Sequence, residues 1–105
     1  MTVKDRRIKV SQMLHNVLGS NNVYFDPPES VKMKYPAIVY RRAKIDTVNA
    51  DNRKYLGYDR YEVTFIRKDA DNEIIDAILE LPYCEHNRVY KASDLHHDVF
   101  TLYIQ

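Results

Sequence analysis

The chain has 105 residues, with 45% hydrophobic side chains, 30% charged side chains and a net charge of +1. That length fits a single domain over residues 1–105 with one core, and two glycines and four prolines argue against a linker or a disordered tail. The balanced charge lacks the basic excess of a dedicated nucleic-acid binder, and no apolar run approaches the roughly 20 residues that a membrane span needs.

The opening "MTVKDRRIKV" is charged and has no apolar h-region, so it does not read as a secretory signal. Cys84 is the only cysteine and can form no internal disulfide, which points to synthesis in a reducing cytoplasm. The first element reads as a helix. Val3, Val10, Met13, Leu14, Val17 and Leu18 fall on one side of a helical wheel. Gly19 is placed to end it. Ile8 lies off the stripe, as a lone exposed residue or one that meets a partner.

Val23 to Phe25 suits a short strand, ended by Asp26-Pro27-Pro28. Pro36 fits the start of the next strand, which Ala37 to Ile45 can form. The polar stretch "DTVNADNRKYLG" reads as a long, turn-rich hairpin tip over Thr47 to Gly57, of a kind that is often functional. "YDRYEVTFIRK" is the clearest strand. Asp59, Tyr61, Val63 and Phe65 share one face, and Arg60, Glu62, Thr64 and Ile66 share the other.

"KDADNEIIDAILELP" predicts a second helix, capped by Asp69 or Asp71 and stopped by Pro82. Its stripe is Ile74, Ala77, Ile78 and Leu81, with Ile75 and Leu79 on the shoulder. Two more strands follow, near Tyr83 to Lys91 and Val99 to Ile104. The order α-β-β-β-α-β-β predicts an α+β domain, a mostly antiparallel sheet with two flanking helices.

The turn between the last strands holds "DLHHD", residues 94 to 98. Metal ligation there would need His96 to act with Cys84 and His86 from the preceding strand. The spacing C-x-H…H-H lacks the paired ligands of common zinc motifs, and neighbouring histidines on a strand point to opposite faces. A polar turn at Ser93-Asp94 is the simpler reading. No catalytic, cofactor or metal residue is assigned. Nine tyrosines and no tryptophan suit strands or an interface. Lys32, Lys34, Arg41, Arg42, Lys44, Arg53, Lys54 and Arg60, interleaved with Tyr35, Tyr40 and Tyr55, could form a single-strand nucleic-acid surface. Asp46, Asp51, Asp59 and Glu62 dilute it towards a mixed, solvated surface.

Taken in order, "MKYPAIVYRR", "ADNRKYLGYDRYEVTFIRKDADNEI", "LP" and "YKASDLHHDVFTLYI" resemble the tail-terminator, or tail-completion, proteins of bacteriophages and prophages with long non-contractile tails. Minor capsid and head–tail joining protein are other names in use for such chains. The resemblance spans nearly the whole chain and is strongest from Met33 to Ile104. It implies a non-enzymatic virion protein, made in the bacterial host cytoplasm, whose copies form a ring, usually a hexamer. The ring stops growth of the tail tube and offers a surface to the head connector. The implied partners are the chain itself, the tail tube protein and the head–tail connector, with genome DNA passing through without specific binding. A head-closure or connector neck protein is the alternative within the class, and a nucleic-acid-binding module the alternative outside it. A ring needs a heterologous interface. The hairpin tip with Arg53 and Lys54, the tyrosines Tyr35, Tyr40 and Tyr55, and Ile8 are its candidate residues.

Overall fold

Seven elements follow one another: α1 (Val3–Leu18), β1 (Val23–Phe25), β2 (Ala37–Ala50), β3 (Arg53–Arg67), α2 (Glu73–Leu79), β4 (Cys84–Ala92) and β5 (Leu95–Ile104). They belong to a computed structural model that describes the backbone of residues 2–50 and 53–105, and the side chains of residues 2–46 and 58–105. The order is the α+β order read from the sequence. Among the described residues no helix is long and apolar enough to cross a membrane.

Local chemistry sets the helix ends. A capping box opens α1: the Asp5 N–H donates to the Thr2 hydroxyl and the Thr2 N–H to the Asp5 carboxylate, at 3.1 and 3.0 Å. Gly19 closes it in the left-handed region (φ 76°), donating its N–H to the His15 carbonyl. The cap of α2 is Asn72, whose side chain accepts the Ile74 N–H at 2.9 Å, not Asp69 or Asp71. The helix starts later than its acidic run suggests, and Asn72 is the residue left in extended geometry at its threshold.

The five strands lie in the order β1-β2-β3-β5-β4. β1 runs parallel to β2, and every other pair is antiparallel. Strand alternation sorts the side chains. Ile38 and Tyr40 of β2, Tyr61, Val63 and Phe65 of β3, and Phe100, Leu102 and Ile104 of β5 face the helices and form the core with Val10, Leu14 and Ile78. Val3, expected in the α1 stripe, is exposed. It lies in the first turn, where its carbonyl accepts from Arg42, so the helix there meets a polar end of the sheet. On the opposite face Ala37, Ile66 and Val99 are buried, beside a groove lined by Pro27, Val31 and Met33 of the preceding loop.

Two expectations fail at the hairpins. The stretch read as a long tip is strand: β2 and β3 pair from Ala37↔Ile66 to Ala50↔Arg53, with register shifts at Arg42/Lys44 and Asp46/Thr47. Thr47, Val48, Tyr55 and Leu56 are good strand formers, and ladder bonding outweighs the polar residues between them. Beyond Asp59, where β5 ends its pairing with β3, the two strands have only each other among the described residues. This two-stranded ribbon extends roughly 17–20 Å at about 3.3 Å per residue. The molecule is accordingly elongated, 51 × 25 × 23 Å, with a radius of gyration of 14.7 Å against about 13 Å for a compact chain of this length. The second failure is "DLHHD". Only Asp94 is in the turn, with Ser93, both at positive φ as a two-residue hairpin prefers. Leu95 to Asp98 already belong to β5.

Candidate functional site

Two carboxylates sit on the helix-facing side of the sheet, and each is paired with a buried arginine. Asp59 is fully buried. Its Oδ2 lies 3.0 Å from Arg6 Nε of α1 and 3.3 Å from Arg42 Nε of β2. Arg42 also donates to the Tyr61 hydroxyl at 2.9 Å and lies over the Tyr61 ring. Burial raises the Tyr61 pKa against the opposing pull of Arg42. The group ties α1 to the central strand, β3, at the root of the ribbon.

The second carboxylate, Asp98, pairs with the buried guanidinium of Arg67 and accepts from His86 Nε2 at 2.9 Å. Arg67 donates its other N–H groups to the carbonyls of Asp69 and Ala70 at 3.0 and 2.7 Å, fixing the loop that leads into α2. His86 packs edge-on against Phe100 and keeps 34% of its side chain in solvent. An Asp–His pair orients an imidazole, as in general-base sites. The thiol on the same strand face does not fit that use. Burial, with a smaller contribution from Glu85, pushes the Cys84 pKa up to about 11, so the sulfur is a neutral thiol at pH 7 and a poor nucleophile.

The strand register also separates the three residues of the zinc reading. Cys84 pairs with Leu102 and His86 with Phe100, whereas His96 pairs with Lys91. His96 is thus four residues along β5 from the partner of His86, about 13 Å at strand rise. Among the described residues no group of three or more His, Cys, Asp and Glu is placed to hold a metal ion. His97 points to the opposite face, where its ring stacks on Tyr90 at 4.5 Å and 14°.

The candidate interface residues divide. Ile8 and Tyr35 are exposed. Tyr40 is only 2% exposed, packed between Phe25 and Tyr61 with ring centroids 5.1 and 6.2 Å away, so it is a core residue and not an interface residue. The side chains of Arg53, Lys54 and Tyr55 lie outside the described residues. Of the cations read as a possible nucleic-acid surface, Arg41 pairs with Glu62, Arg42 with Asp59, and Lys44 and Arg60 with Asp46. These carboxylates break the surface into mixed charge.

An aromatic patch escaped the sequence reading. Tyr58, Tyr83 and Tyr103 line a pocket of about 380 Å³ at the root of the ribbon. Tyr58 meets Tyr103 edge-on, Arg60 lies over Tyr103 at 5.7 Å, and Tyr83 is 81% exposed. The three come from distant parts of the sequence: the β3–β5 register brings Tyr58 to Tyr103, and the Tyr103 N–H, donating to the Tyr83 carbonyl at 3.1 Å beside the β4–β5 pairing, brings in Tyr83.

No family model matches the chain, and neither a curated protein nor a solved structure matches it.

Proposed function

We propose that this chain is a structural subunit of a phage tail or head–tail junction, whose copies close into a ring on the end of the tail tube and receive the head connector. The observation that carries the reading is the β2–β3 ribbon. A two-stranded hairpin alone is marginal in water, yet this one runs from Ala50↔Arg53 to the edge of the five-stranded sheet. A neighbouring subunit or the tube would supply the surface it lacks. The exposed tyrosines at its root, Tyr58 and Tyr83, suit the same use, because tyrosine is enriched in interface cores. The two buried carboxylates serve the monomer, each closed by arginines of the same chain.

The test is removal of the chain from a phage or prophage that encodes it, with tail length measured by electron microscopy. Tails of uncontrolled length, or finished tails unjoined to heads, are the expected result. Reversal of charge at Arg53 and Lys54 is expected to give the same defect in a stably folded monomer. Normal tails and normal joining without the chain would end this reading.

A further inference from the structure

Charge is unevenly placed along this near-neutral chain. From Asp69 to Glu85 there are six carboxylates and no Lys or Arg, while the rest of the chain has sixteen Lys and Arg against nine Asp and Glu. The structure gathers that acidity on one side. Glu73, Asp76 and Glu80 share the outward face of α2, and Leu79 beside them is 40% exposed. Among the described residues none of these three carboxylates is in an ion pair.

The first half of α1 has the opposite character. Lys4 and Lys9 flank Ile8, also 40% exposed, on its outer face. Asp5 is the one acid there, and its carboxylate is engaged by the capping box. α1 packs over β1 and β2, and α2 packs against β4. Because β1 and β4 are the two edges of the sheet, α1 and α2, with their basic and acidic outer faces, lie towards opposite ends of the same helical layer.

We infer that copies of this chain dock side by side, with the acidic outer face of α2 in one copy against the basic first half of α1 in the next. The inference rests on the proposed self-assembly and names the surfaces that make it. Each surface has an exposed apolar residue flanked by charge, the arrangement of an apolar interface centre with a polar rim. The rim charges are opposite between the two surfaces, so they attract unlike faces and repel like ones. The contact is head-to-tail, and repetition of such a contact closes a ring when the rotation permits. A self-paired dimer through α2 would instead bring like charges together.

Two variants test this, Asp76→Lys/Glu80→Lys and Lys4→Glu/Lys9→Glu, with folding checked by circular dichroism. All altered positions are exposed, so native spectra are expected. Association is followed by sedimentation equilibrium over a range of concentration and salt. The wild type is expected to associate, and less so at high salt. Each variant alone should associate at least about tenfold more weakly. An equimolar mixture should recover wild-type association, because it restores opposite charge at every contact. Leu79→Ser, which leaves the charges in place, should also weaken association. A wild type that stays monomeric, variants that associate as well as wild type, or a mixture no better than its components would overturn the inference. If tail length still depends on the chain in any of those cases, the proposed function stands and only the interface falls.

Discussion

Replacing Asp98 by alanine should destabilise the protein far more than its position near a hairpin turn suggests. Asp98 and Arg67 are both almost fully buried, so the substitution leaves a buried guanidinium without its counter-charge. Breaking such a pair from one side costs about 3–5 kcal/mol. Arg67 keeps its bonds to the carbonyls of Asp69 and Ala70, which places the expected loss at the lower end, about 3 kcal/mol. That is a large share of the about 5–15 kcal/mol that holds a domain together. Urea unfolding followed by far-UV circular dichroism would read it as a midpoint lower by about 1.5 M, for a slope near 2 kcal/mol/M. The double variant Arg67→Met/Asp98→Leu removes both charges and should be more stable than Asp98→Ala, falling short of wild type by the two lost bonds to the Asp69 and Ala70 carbonyls. His86→Ala, which removes a half-exposed partner, should cost below about 1 kcal/mol. An Asp98→Ala loss below about 1 kcal/mol, or a double variant weaker than the single one, would refute the assignment of Asp98 as the counter-charge of a buried cation.

Three further outcomes are expected. Cys84 should react with iodoacetamide at pH 8 about a hundredfold more slowly in the folded protein than in urea, since its pKa is raised from 9.0 to about 11 and the thiolate is the nucleophile. The same shift makes stability fall as pH rises from 9 towards 11, because the unfolded chain gives up the thiol proton first; flat stability across that window would contradict it. Gly19→Ala should cost about 1 kcal/mol by thermal melting, entirely from the left-handed backbone, as a Cβ there meets nothing within 4 Å. Tyr40→Ala should cost about 3–5 kcal/mol and Tyr35→Ala below about 1; equal losses would mean that the two tyrosines are not core and surface.

Where local signals are strong, the sequence was readable. The alternation from Asp59 to Ile66 assigns its two faces correctly, Gly19 ends α1 as read, and Ser93-Asp94 makes the final turn. Ala37 to Tyr40 shows the limit. Apolar side chains stand on both faces of that strand, so alternation alone does not say which face carries Tyr40 into the core. The polar composition of "DTVNADNRKYLG" likewise hid a ladder that depends on the partner strand.

By itself, then, the sequence determined the element order, the helix stripes apart from Val3, and the α+β class, because hydrophobic period is a local property. Tertiary structure decided the rest. It drew Asp98 between Arg67 and His86, kept His96 away from Cys84 and His86, gathered Tyr58, Tyr83 and Tyr103 at the root of the ribbon, and set acidic α2 and basic α1 towards opposite ends of one layer. Each of these depends on strand register and packing between residues distant in the chain, and no local pattern encodes it.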